Sequence, residues 1–169
     1  MGPVRHTLTP SAYGRLLEGM LEQAAAYALS ILRNRHDAED AVQQAALRGL
    51  ERIAQYDPRW PFRGWWFALL RNCCIDLVRS RRPCASLATA EHHADRHGNP
   101  TEWQDLAEAL DGLEPQQSEI LRLKYFGGLS YDELAQALDI PKGTVMSRLH
   151  YARKALSSQM KESEHDQTR

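Results

Sequence analysis

One feature constrains this chain more than any other. Its apolar residues recur at three- and four-residue steps nearly everywhere, and no segment alternates in the period-two manner of a half-buried strand. A chain so patterned buries itself only by packing helix on helix, so the fold class is all-α. A first helix opens at Pro10 with Thr9 as its cap and carries Leu17, Leu21, Ala24, Ala28 and Ile31 along one side. A second is expected from Asp37 to Gln55, capped by Asp37, with Glu39 and Asp40 at the positive end of its dipole. Its buried stripe takes Ala38, Val42, Ala45 or Ala46, Gly49 or Leu50, and Ile53, and Tyr56-Asp57-Pro58 ends it. A third runs from Pro61 to Arg81, buries Phe62, Trp66, Leu69, Leu70, Cys73 and Leu77, and is stopped by Pro83.

The composition then changes. Residues 83–101 (PCASLATAEHHADRHGNPT) are small, polar and broken by Gly and Pro, which reads as a flexible linker. Four shorter helices follow, expected at Glu102 to Asp111, Pro115 to Phe126, Ser130 to Leu138, and Pro141 or Lys142 to Met160. This gives two small helical domains, 1–82 and 102–160, joined by the linker and followed by a polar tail, 161–169. No apolar run reaches the ~18 residues of a membrane span. The N-terminus lacks the apolar stretch of a signal peptide, so a soluble, cytoplasmic protein is expected.

The net charge of −1 argues at first against a nucleic-acid partner, but it conceals blocks. Between Pro58 and Pro83, six arginines (Arg59, Arg63, Arg71, Arg79, Arg81, Arg82) face only Asp76, a balance of +5. Between Glu91 and Glu119, eight acids face only Arg96, a balance of −7; between Lys142 and Lys154 four bases face none, +4. In the first block the arginines are interleaved with Trp60, Phe62, Trp65, Trp66 and Phe67. Flat rings for unstacked bases and cations for phosphates are what a single nucleic-acid strand needs, although the same rings also serve a core.

The last two helices carry a more specific signal. Ser130-Tyr131-Asp132-Glu133 is a capping box opening a short helix. Only Asp139-Ile140-Pro141 separates that helix from a longer basic one, the arrangement of a helix-turn-helix. Leu134, Ala135 and Leu138 pack against Ile140, Val145 and Leu149, with Ala135 as the small residue at the crossing. Lys142, Thr144, Met146, Ser147, His150, Tyr151 and Arg153 are left pointing outward, where the start of such a helix enters a major groove.

The stretch GLEPQQSEILRLKYFGGLSYDELAQALDIPKGTVMSRLHYARKAL resembles the C-terminal domain of the extracytoplasmic-function (ECF) sigma factors of bacterial RNA polymerase. In the N-terminal half, DAEDAVQQAALRGL resembles their polymerase-docking segment and PFRGWWFALLRNCCIDLVRSRR their promoter-melting helix. The resemblance covers roughly Leu16 to Leu156, in order and at the right spacing. It implies a promoter-specificity subunit for core RNA polymerase, not an enzyme by itself, with no cofactor and no small-molecule substrate. It also implies control by an anti-sigma factor, which is often membrane-anchored and so able to hold the chain at the inner membrane face.

Carried over residue by residue, the resemblance places polymerase binding on Asp40, Gln43 and Gln44, with Gln44 replacing a glutamate common in relatives. It places single-stranded minus-ten DNA on Arg59, Arg63, Trp65, Arg71, Asn72 and Arg79, Asn72 being the polar reader of a flipped base. Duplex minus-thirty-five DNA falls to Lys142, Thr144, Met146, Ser147, Arg148, His150, Tyr151 and Arg153. Met146 stands where relatives commonly have arginine, so their base preference does not transfer.

Other chemistries fit less well. If helical, His93 and His97 stand one turn apart beside His92, but linker composition argues against a fixed metal site. Cys73 and Cys74 are adjacent on a helix, where side chains diverge, and read as small core residues rather than a redox pair. A Cys–His hydrolase lacks a nucleophile elbow. A stand-alone helix-turn-helix regulator is the remaining alternative. The acidic block suggests a chain that folds back and masks its basic surfaces when idle, with Glu102, Asp105 and Glu108 as the residues to test.

Overall fold

The computed structural model describes residues 8–81 and 100–166. Among these the chain forms eight α-helices and no strand: α1 (Pro10–Glu18), α2 (Leu21–Leu32), α3 (Arg35–Glu51), α4 (Phe62–Arg81), α5 (Pro100–Asp111), α6 (Pro115–Tyr125), α7 (Tyr131–Leu138) and α8 (Lys142–Asp166). A 3-10 turn, Ile53–Gln55, follows α3. The His92, His93 and His97 cluster, Cys84 and nearly all of the linker lie outside the described residues.

Thr9 caps α1 as expected, its Oγ1 accepting from the Ala12 amide at 3.2 Å. The first helix is not continuous, however. Gly19 ends α1 and α2 restarts at Leu21, with Met20 buried at the bend. The cap of α3 is Asn34, not Asp37: Asn34 Oδ1 accepts from the Asp37 amide at 3.1 Å, and Asp37 sits in the first turn. Arg33 takes a left-handed φ of 55° to turn the chain between α2 and α3. Beyond α7, α8 continues past Met160 to Asp166.

The N-terminal half is sealed by aromatics. The Tyr13 hydroxyl donates to the Ala46 carbonyl at 2.7 Å and accepts from Trp66 Nε1 at 3.1 Å, tying α1, α3 and α4 together. Trp66 and Phe67 are wholly buried and meet edge to face, as do Tyr27 and Phe67. Gly49 is obligatory in α3, because a Cβ there would strike the Tyr13 hydroxyl.

In the C-terminal half the capping box of α7 is complete: Ser130 Oγ accepts from the Glu133 amide at 3.3 Å and Glu133 Oε2 from the Ser130 amide at 2.7 Å. Asp139, at φ 52°, ends α7, and the Ile140 amide returns to the Ala135 carbonyl at 3.0 Å. Leu134, Val145 and Leu149 are buried between α7 and α8 as expected, but the fully buried alanine is Ala137, with Ala135 half-buried.

The two halves do not stand apart. α4 packs along α7, α2 reaches α6, and one continuous apolar core runs through both. This explains why α4 buries more than the single stripe its sequence suggests: besides Phe62, Trp66, Leu69, Leu70 and Cys73, it buries Gly64, Phe67 and Cys74.

Candidate polymerase and nucleic-acid surfaces

On α3, burial of Ala38, Ala41, Ala45 and Gly49 turns the opposite side outward. Asp40, Gln43 and Gln44 are all exposed there. Leu47, one step further along, is 63% exposed, an apolar residue displayed beside polar ones. Sequence reasoning overlooked it, although its place three residues after Gln44 on a non-core face is itself the signal.

The residues assigned to the minus-ten strand fall into two groups. Trp65, Asn72 and Arg79 are seven residues apart and so share one side of α4. Asn72 and Arg79 are exposed; Trp65 is half-buried, leaning on Tyr56 and Phe62 at ring-centroid distances of 5.2 and 5.6 Å. The loop before α4 is braced by the Tyr56 hydroxyl, which donates to the Trp60 carbonyl at 2.8 Å and leaves the Trp60 ring 59% exposed. Arg59 folds onto Asp57 with a closest contact of 2.6 Å; its side-chain hydrogen bonds, then its backbone amide, hold the Asp57 carboxyl below the usual carboxylate range.

Arg63 and Arg71 face elsewhere. Arg63 donates to the Gly127 carbonyl at 2.7 Å, and its Nε lies 3.8 Å from Glu133 Oε1. Arg71 is ion-paired with Glu119 of α6. Both guanidiniums are therefore committed to the C-terminal half in this conformation.

A third arginine, Arg122, was not singled out by sequence reasoning. It is only 4% exposed yet fully engaged, donating to the Ser30 carbonyl of α2, to the Ala107 carbonyl at 3.2 Å, to Asp111 at 2.5 Å and to Ser118 at 3.0 Å. Asp111 also pairs with Arg33 at 2.5 Å. Burial lowers the Arg122 pKa, and the Asp111 carboxylate works against that shift.

On α8, Met146 (55% exposed), Ser147, His150 and Tyr151 (63% exposed) form an open outer side, with Thr144 and Arg148 half-buried at its margin. Two of the expected cations are tethered. Lys142 pairs with Asp132 of α7 at 2.9 Å, and Arg153 is held by the side chains of Tyr131 and Tyr125, which keep its guanidinium charged. The open side thus presents more apolar and neutral polar chemistry than basic chemistry.

The paired cysteines lie inside. Cys73 and Cys74 are buried, and burial pushes the Cys74 thiol up to about 12, so neither carries the thiolate that redox chemistry needs. No helix among the described residues is long and apolar enough to cross a membrane.

Comparison with known proteins agrees with this geometry. Residues 16–83 match the family model of sigma-70 region 2, and residues 103–156 that of sigma-70 region 4. The chain is 30% identical over 168 residues to the ECF RNA polymerase sigma factor SigL of Mycobacterium tuberculosis, covering 90% of this chain and 93% of SigL. It is 35% identical over 142 residues to SigE of Mycolicibacterium smegmatis, covering 78% of this chain and 54% of SigE, about half of that longer protein. Among solved structures it resembles CnrH, determined in complex with the cytosolic domain of CnrY (TM-score 0.72, 25% identity, 91% of this chain and 90% of CnrH). It also resembles the sigma factor RpoE of Bartonella quintana, determined with the anti-sigma factor NepR (TM-score 0.69, 26% identity, 88% of this chain and 96% of that one). Two sigma regions in order, and a relative matched along nine-tenths of both chains, lead to one conclusion: this chain belongs to the ECF RNA polymerase sigma factors.

Proposed function

We propose that this chain binds core RNA polymerase through the outer side of α3, using Asp40, Gln43, Gln44 and Leu47, and directs it to promoters through two separate DNA surfaces. The outer side of α4 (Trp65, Asn72, Arg79), with Arg59 and Trp60 in the loop before it, takes the minus-ten strand. Asn72 hydrogen-bonds an extruded base while the rings supply stacking and the arginines meet phosphates. The outer side of α8 (Thr144, Met146, Ser147, Arg148, His150, Tyr151), with Lys142 and Arg153 at its margins, takes the minus-thirty-five duplex. The observation that carries this reading is the exposure of Asn72 on the same side of α4 as Trp65 and Arg79. The protein acts as a regulator in the cytoplasm and performs no catalysis of its own. Its likeness to chains solved with CnrY and NepR supports control by an anti-sigma factor, which would hold it at the membrane if that partner is anchored there.

Run-off transcription with reconstituted holoenzyme on a promoter library tests this. Promoter-specific transcripts are expected, with Asn72→Ala changing the minus-ten preference and Arg148→Ala weakening dependence on the minus-thirty-five element. Duplex binding without polymerase and no promoter-specific transcript would show a stand-alone regulator instead.

A further inference from the structure

The outer side of α8 lacks the chemistry best suited to guanine. In a major groove guanine shows two acceptors, N7 and O6, and the commonest specific reader is an arginine or lysine that meets both at once. Among the described residues, the cations near the start of α8 are spent or turned aside. Lys142 is drawn back to Asp132 of α7 at 2.9 Å, and Arg153 is held by Tyr131 and Tyr125. Arg148 is half-buried, on the margin next to the buried Val145, Leu149 and Ala152. Lys154 is exposed, but it lies ~18 Å along the helix axis from Lys142, a reach that suits phosphates rather than the bases met by the helix start.

Met146, Ser147, His150 and Tyr151 remain on the open side, all exposed. The Ser147 hydroxyl donates to the Thr144 carbonyl at 3.0 Å, so toward a base it only accepts. The ring nitrogens of His150 point apart and make no fork; a single N–H suits N7, which adenine and guanine share. Tyr151 stands edge-on to His150, with ring centroids 5.4 Å apart at 76°, which steadies its ring on the open side. Met146 at 55% and Tyr151 at 63% exposure display a thioether and an aromatic ring to water. Covering them is favourable only against an apolar group, and the one that base pairs show in the major groove is the thymine methyl.

We propose that Met146 and Tyr151 read thymine methyl groups, so that this chain selects an upstream element with A·T pairs at the steps they face and makes no guanine fork there. This rests on the reading of α8 as the minus-thirty-five surface and names the bases which that surface takes. The two side chains stand ~7.5 Å apart along the helix axis and base pairs stack ~3.4 Å apart, so they address different pairs. Each contact is apolar and independent of the other, and so each contributes its own preference.

The test uses holoenzyme reconstituted with the full-length chain. Promoters are first selected from a library randomised upstream, and thymine-bearing pairs are expected at two steps of the minus-thirty-five element. On a selected promoter each of these thymines is then replaced by uracil, which keeps every hydrogen-bonding group and removes only the methyl. Promoter affinity should fall about fourfold for each methyl lost. Met146→Ala should abolish the uracil effect at one step and Tyr151→Ala at the other, whereas Tyr151→Phe, which keeps the ring, should leave it in place. Met146→Arg should move selection at its step to guanine, with a preference of about tenfold. Guanine at both steps for the wild type overturns the proposal. So does an unchanged affinity on uracil substitution, or a uracil effect that both alanine variants retain. Transcripts whose yield ignores the upstream sequence altogether overturn the reading of α8 itself, and this proposal with it.

Discussion

Helix α4 makes two seams, and they differ in what they add to the shared apolar core. Toward α1 and α3 it presents Phe62 and Trp66, bridged by the Tyr13 hydroxyl, which both donates and accepts, with one exposed ion pair, Arg48 to Asp76 at 3.2 Å, at the rim. Toward α6 and α7 it presents Gly64, Arg63 and Arg71, closed by guanidiniums, with buried polar atoms left over. The first is a dry contact whose strength comes from apolar area and shape, and salt hardly affects it. The second shares that apolar core but adds part-buried charge pairs whose gain is offset by desolvation, so its balance moves more with ionic strength. The contrast shows that one helix can pack on one side mainly through rings and on the other through rings framed by guanidiniums.

The comparison can be broken most severely at its dry side. Trp66→Ala removes the largest wholly buried side chain and should cost about 3–5 kcal/mol of unfolding free energy in urea titration. A loss below 1 kcal/mol would mean that this seam is not the main one. On the polar side, Arg122→Ala strands the Ser30 and Ala107 carbonyls and should cost about 2–4 kcal/mol; Arg122→Met strands the same carbonyls but fills similar volume, so it should recover only the packing share of that loss. Equal losses for the two would show that the lost hydrogen bonds, not packing, govern the site; a near-neutral Arg122→Met would show the reverse.

A third measurement sharpens the dry side through pH. Burial raises the Cys74 thiol from an ordinary 9 to about 12. The folded protein therefore keeps this proton where the unfolded chain loses it. That stabilisation is complete below pH 9 and is lost between 9 and 12, by about 1.4 kcal/mol per pH unit at most. Stability measured from pH 8 to 11 should fall, and Cys74→Ala should flatten the slope; identical slopes would remove Cys74 as the cause. Smallest is Ser130→Ala, which removes the acceptor for the Glu133 amide and should cost about 1 kcal/mol by thermal unfolding, with no change at the dry seam.

What sequence made legible was local. The capping box of α7, the outward side of α3 and the burial of Trp66 follow from short-range spacing, which helical geometry translates directly into faces. The bend at Gly19 was hidden because the apolar period runs on through Leu17, Leu21 and Ala24 regardless. Asn34 and Asp37 both have cap chemistry, and only the left-handed Arg33 before Asn34, which spacing does not reveal, separates them. The seam left no local trace. Arg63 and Gly127 are 64 residues apart and Arg122 and Ser30 are 92, so no period in either segment announces the other. The arginines of α4 were accordingly read together as a nucleic-acid surface, whereas their angular positions divide them between solvent and the C-terminal half.

Gly64 has a consequence outside structure. Glycine and alanine codons differ by one base, and a methyl group at this position presses on α7 while leaving the outer sides of α3, α4 and α8 untouched. A single nucleotide change therefore suffices to alter how closely α4 and α7 pack, with the residues on the outer sides left as they were.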